Sequence, residues 1–209
     1  MKITGLYSGS KAFIGPKSNP TGIFKQTRTE ANVNALGITD DIQVDKRFHG
    51  GPERALHQFS LRSYQKIIQR FPLLHQQAWP GSIGENISVP LMHEDNVCIG
   101  DTYLAGTVII QVSSPRIPCW KIDEKFRQPK LHIFIRQCQL SGWYFRVLQN
   151  GCIRVGDKLS LVDRPQPQMS IHYFLTHIDK NPKDMGFLDL VKKSKELDPL
   201  WQDKLLAAK

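Results

Sequence analysis

The stretch Trp143–Val162, WYFRVLQNGCIRVGDKLSLV, carries the clearest structural pattern in the chain. It is rich in aromatic and β-branched residues, which fit the pleated, half-buried surface of a sheet. Asn150-Gly151 sits between two apolar runs and predicts a tight hairpin of the type with positive φ at both central positions. Gly156-Asp157 marks a second turn, after which KLSLV resumes the alternation of a strand.

Working outward, ITGLY (Ile3–Tyr7) and VIIQV (Val108–Val112) also read as strands. Two helices interrupt them. Leu61, Tyr64, Ile67, Ile68 and Phe71 fall at helical spacing, with Ser60 as N-cap and Pro72 as stop. Leu131, Phe134, Ile135 and Cys138 give a second, with Pro129 in its first turn, although Leu131, Ile133 and Ile135 also alternate as a strand would. DRPQPQ (Asp163–Gln168) breaks the pattern, because Pro165 and Pro167 disfavour helix and sheet interiors alike. Three short amphipathic segments follow, around Ile171–Ile178, Phe187–Val191 and Leu200–Leu206. The chain thus reads as mainly β with helices, an α+β fold. A β-rich domain spans residues 1–164 and a small three-helix extension spans residues 165–209, with no internal repeat.

The totals set outer bounds. At 209 residues with 40% hydrophobic and 22% charged, the chain can bury one large core. No apolar run approaches the ~20 residues that cross a bilayer, and the start lacks an apolar core of signal-peptide length. Cys98, Cys119, Cys138 and Cys152 include no CxxC pair, so neither a zinc ribbon nor a disulfide framework is expected. Reduced thiols and a cytoplasmic location, with no membrane, are the expectation. The net charge is +9, and Thr102–Gly156 holds eight Lys/Arg against two acids. That balance favours anionic ligands. The charge alone would also suit a nucleic-acid-binding barrel, but no basic run or RNA-binding signature supports it, so nucleic acid is not an expected partner.

Cys119 is the best-presented thiol. Pro115 and Pro118 hold Arg116–Cys119 in extended or turn geometry at the end of the VIIQV strand. Arg116 and Lys121 favour a thiolate there, which is a nucleophile or a soft-metal ligand. The alternative is a buried structural cysteine, the reading preferred for Cys98, Cys138 and Cys152. In RFHGGPERALHQF (Arg47–Phe59), Gly50-Gly51-Pro52 makes a turn that can approach a ligand closely. Arg54 can grip a phosphate or carboxylate, and His49 and His57 can donate hydrogen bonds or transfer protons near neutral pH. Glu85 and Asn86 in GSIGENISV, and Lys25 in GIFKQ, are weaker candidates, each with an ordinary structural reading beside it.

In this order, HGGPERAL, GENI, SSPRIPCWK (Ser113–Lys121) and GWYFRVLQNG with the later Gly-Asp resemble the MOSC domain. That family is named for the C-terminal part of molybdenum cofactor sulfurase. The match runs from about Gly5 to Val162, and the tail resembles the small three-helix extension of YiiM-type members. The resemblance implies a β-barrel holding a pterin-based molybdenum cofactor, with Cys119 as metal ligand or sulfur carrier. It implies catalytic roles for Cys119, His49 and His57. It implies cofactor contacts at Lys25, Gly50, Gly51, Arg54, Glu85, Asn86, Ser113, Arg116 and Lys121. The implied activity is reduction of N-hydroxylated small molecules such as hydroxylaminopurine-type bases, with electrons from a separate reductase. The alternative is a molybdenum cofactor or sulfur carrier holding a persulfide on Cys119 without its own turnover. A homodimer is left open. Asp40-Asp41 stands where the family often reads Gly-Asp, and Ser114 where it often reads Gln.

Overall fold

The computed structural model of the chain describes residues 1–180 and 184–207. Six short strands come first: β1 (Gly5–Ser8), β2 (Ala12–Ile14), β3 (Asn19–Thr21), β4 (Gln26–Arg28), β5 (Glu30–Asn34) and β6 (Gly37–Ile38). One helical turn, α1 (Lys46–His49), leads to β7 (Leu56–Gln58), helix α2 (Leu61–Arg70) and β8 (Ile87–Ser88). The centre is β9 (Thr102–Ala105), β10 (Val108–Pro115), α3 (Lys121–Phe126) and α4 (Leu131–Gln137). Then come β11 (Trp143–Gln149), β12 (Gly151–Arg154) and β13 (Leu159–Asp163), followed by α5 (Ile171–Lys180), α6 (Met185–Lys193) and α7 (Pro199–Ala207).

The architecture is α+β, as the sequence predicts. Eight strands form one curled sheet in the order β13-β9-β10-β11-β7-β8-β1-β4, a half-barrel rather than a closed ring. A second, separate sheet has the order β12-β5-β6. The spine is the long antiparallel pair β10/β11, in which Val112 faces Phe145 and Pro115 faces Trp143. Helix α2 begins as read: the Ser60 hydroxyl accepts from the Arg62 amide at 3.1 Å, and the helix ends before Pro72. The Leu131 segment is a helix and not a strand, since Leu131 and Ile135 bury together on one face. Pro129 lies just outside it, with Lys130 in the left-handed region at the cap. Helix α3, directly after Cys119, was not anticipated.

The hairpin at Asn150-Gly151 does not form. β12 pairs with β5 in the second sheet, Gly151 opposite Val33, and β11 pairs with β10 and β7. Neither Asn150 nor Gly151 takes positive φ. Gly151 is needed for close approach instead: a Cβ there would lie 2.4 Å from the Thr107 hydroxyl. The Gly106-Thr107 turn crowds the crossing point, and the chain is deflected into a new sheet rather than folded back. Gly156-Asp157 is the turn expected of it, with Asp157 accepting from the Arg154 amide at 2.8 Å.

The tail packs directly on the sheet. Phe174, Phe187, Val191 and Trp201 belong to the same buried cluster as Val112, Trp143 and Phe145. Its backbone is tied in as well: Ile171 donates to Val97 at 2.8 Å, and Asp198 donates to Ser113 at 2.9 Å. A second cluster gathers α2, α3 and α4 around Phe59, Ile67, Ile122 and Ile135. The site lies between these two cores.

Candidate functional site

The end of β10 sets the site. Strand pairing stops at Pro115, and Arg116–Cys119 runs without regular structure into α3. Arg116 is anchored by its amide, which donates to the Gly142 carbonyl at 3.1 Å. Its side chain turns inward and is buried. Cys119 is half-buried and lies where two hollows meet. The inner one is a cavity of about 80 Å³, with Lys25, Asp41, His57, Asn86 and Arg116 in its wall. The outer one is a cleft of about 560 Å³ reaching Trp120, Leu200, Trp201 and Lys204. Asp45, His49, Arg54, Cys119, Lys121 and Tyr144 line both.

Most of the sequence candidates therefore converge, from segments that are far apart in the chain. Asn86 organises the inner wall: its side-chain oxygen accepts from the His57 amide at 3.1 Å, and its amide nitrogen donates to Asp41 at 2.9 Å. Asp41 also pairs with Lys25 and accepts from the Gly9 amide at 2.8 Å. Lys121 lies at the rim and donates to the Pro20 carbonyl at 2.8 Å. Arg54 is held through Nε and Nη2 by Asp198, at 3.2 and 2.9 Å, with the carboxylate side chain 1% exposed.

Four expected contacts are placed elsewhere. Glu85 is fully buried and turned into its own loop, where it accepts from the Tyr64 hydroxyl and the Gly81 amide, both at 2.6 Å. Its carboxyl is pushed up by burial, against those hydrogen bonds. Ser113 donates to the Glu53 carbonyl and is sealed in the sheet. Both correct the expectation of direct cofactor contact, because a strand interior and a satisfied buried loop leave them no access. Gly50 and Gly51 shape the turn without lining either hollow. Gly51 has φ of +87°, the left-handed region that glycine tolerates, and its amide donates to Gln43 at 3.1 Å.

The histidines also depart from expectation. Burial, then the charges of Arg116 and Lys121, push His49 down to about 3. Burial, then Arg116, push His57 well below its ordinary value. Both are neutral near pH 7, so neither titrates there as read from sequence. His49 Nδ1 instead shares a 2.8 Å hydrogen bond with the Tyr144 hydroxyl. His57 Nε2 and Arg116 Nη1 are buried against this cavity with no hydrogen-bond partner. Unpaired buried polar atoms are costly and point to a missing ligand group.

Tyr144, Asp41, Gln43 and Asp198 were missed. Tyr144 carries a signal in retrospect, since it alternates with the inward Trp143 and Phe145 of β11. Nothing local ties Asp198 to Arg54, 144 residues away.

A half-buried thiol set among cations at the end of a half-barrel strand defines a ligand-holding centre. The model of the MOSC domain matches residues 45–160, and the chain belongs to that family, in its YiiM type. It is 33% identical to the protein YiiM of Escherichia coli over 160 residues, 76% of this chain and 71% of that one. It is 39% identical over 139 residues to a protein named reductase from Gibberella moniliformis. That match takes in 66% of this chain and spans about a quarter of the relative's length, 25%. The crystal structure of YiiM from Geobacillus stearothermophilus superposes with a TM-score of 0.82 at 27% identity, covering 99% of this chain and 97% of that one.

Proposed function

We propose that the inner cavity and outer cleft together hold a pterin-based molybdenum cofactor and that the protein reduces N-hydroxylated small molecules with electrons from a separate reductase. The observation that carries this is the position of Cys119, the thiol shared by both hollows and flanked by Arg54, Arg116 and Lys121. The donor set suits the group. A thiolate is a soft ligand of the kind such metals accept. Arg116, a residue of the inner wall, keeps Nη1 buried without a partner, a cation that a phosphate would satisfy.

When bound, the cofactor supplies the two-electron chemistry; the chain supplies position, charge and exclusion of water. Arg54, its guanidinium held by Asp198, and Arg116, its side chain buried and its backbone amide bonded to Gly142, would offer positive charge to a phosphate with little left to order. Lys25 and Asn86 are braced through Asp41, which keeps the inner wall rigid. Neutral His49 and the Tyr144 hydroxyl hold a shared proton beside the thiol, where a departing hydroxyl group needs one. The outer cleft, with Trp120 and Leu200 both more than 40% exposed, offers apolar surface to a flat substrate.

The test is steady-state turnover of an N-hydroxylated purine by protein expressed with cofactor synthesis intact, supplied with an electron-donating reductase. The expected result is conversion to the amine, abolished in Cys119→Ala. Transfer of sulfur from Cys119 without amine formation would instead support the carrier reading.

A further inference from the structure

A third hollow, about 600 Å³, shares Lys25 with the inner cavity and is otherwise lined by residues that the function above does not use. Its wall includes Tyr7, Phe24, Lys25, Trp79 and Lys125, and no carboxylate among the described residues lines it. Its volume lies in the range of pockets that bury small organic ligands. Two large aromatic rings are left in solvent in this one place, Trp79 at 54% and Phe24 at 41% exposure. Isolated exposed aromatics need no explanation, but two in one concave cleft form a stacking surface.

The cleft is also rigidly built. Trp79 sits on a loop braced from below by Glu85, which accepts from the Gly81 and Ile83 amides. The Ser82 hydroxyl accepts from the Trp79 amide at 3.2 Å. Lys125 projects from α3 with its ammonium 5.2 Å from the centre of the Phe24 ring, donating to the Ile23 carbonyl at 3.0 Å. An ammonium has three protons to donate, and no carboxylate among the described residues lies within ion-pair distance of this one. Glu85, the carboxylate facing it, is buried and already used by Tyr64, Gly81 and Ile83. Burial, with repulsion from Lys25, brings Lys125 down to about 8 against the pull of Glu85.

We infer that this cleft is a second binding site, for a planar aromatic anion of the mononucleotide class, its ring stacked on Trp79 and Phe24 and its phosphate on Lys125. Aromatic faces accept any nucleobase, and a lysine beside them accepts the phosphate as a charge-assisted hydrogen bond. Cys119 is not in the wall of this cleft, and Lys25 is the lining residue it shares with the inner cavity.

The test is titration of the full-length protein with AMP, adenosine and inorganic phosphate, followed by tryptophan fluorescence and calorimetry. AMP is expected to bind saturably and quench fluorescence, about tenfold more tightly than adenosine or phosphate alone. Lys125→Met is expected to lower AMP affinity about tenfold and leave adenosine unchanged. Trp79→Leu is expected to weaken both and remove the quench. Absence of saturable AMP binding overturns the proposal. So does AMP affinity that survives both substitutions but falls in Arg116→Met, which would put the nucleotide in the inner cavity.

Discussion

Arg116 keeps one guanidinium nitrogen buried without a partner, a cost the folded chain carries until something binds. Replacing such a group by an apolar side chain of similar length removes that cost. Arg116→Met is therefore expected to leave the thermal midpoint of the cofactor-free protein unchanged or raised. The same substitution should reduce binding of the phosphate-bearing cofactor about tenfold or more, since a charge-assisted pair is lost. Thermal melts and cofactor content of one preparation check both halves; a large fall in midpoint would contradict the first. The histidines give a pH signature. His49 lies at about 3 and His57 well below normal in the folded chain, whereas both sit near 6.5 when unfolded. Below pH 6.5 the unfolded state takes up protons that the native state refuses, so stability is full above that pH and falls on acidification. The slope should approach one proton for each histidine. It should shrink in His57→Gln when urea unfolding is followed from pH 7 to pH 4.5. At this scale the sequence was informative about types and poor about states. Cys119, Arg54 and Arg116 could be picked out from prolines and glycines beside them. The neutral histidines could not, because their environment comes from Tyr144, Lys121 and Arg116, set by pairings far along the chain.

Among the elements, α2, β10 and the three tail helices were legible because each carries its own run or spacing of apolar residues. The β11–β12 junction was not. Asn150-Gly151 has the composition of a hairpin, yet the space beside it is taken by Thr107, whose hydroxyl and carbonyl would lie 2.4 and 2.8 Å from a Gly151 side chain. Gly151→Ala is expected to destabilise by about 1–3 kcal/mol through overpacking, measured by urea unfolding. A neutral result would mean that the turn is not crowded. Helix α3 escaped notice for a related reason: its short apolar face, Ile122 and Phe126, is completed by α4 and by β2, which lies far back in the chain.

On the scale of the whole molecule, the tail and the half-barrel share one buried cluster, and Asp198 joins them electrostatically at Arg54. Breaking a buried pair by removing one partner strands the other charge. Asp198→Ala is expected to cost about 3 kcal/mol in urea unfolding of the full chain. Calorimetry of the wild-type protein should show one cooperative transition, and two separated transitions would mean that the tail folds independently of the sheet. No described helix is long and apolar enough to cross a membrane. The order of the family motifs was legible in the sequence, but their convergence from Lys25 to Asp198 on one thiol required the fold. That convergence makes the metal content of the molecule the most direct test of the account. Molybdenum and pterin should be measured per chain in wild-type protein and in Cys119→Ala, both expressed with cofactor synthesis intact. The account predicts bound molybdenum and pterin in the wild type and little molybdenum in a folded Cys119→Ala. Equal molybdenum in the two proteins, or none in either, would contradict it.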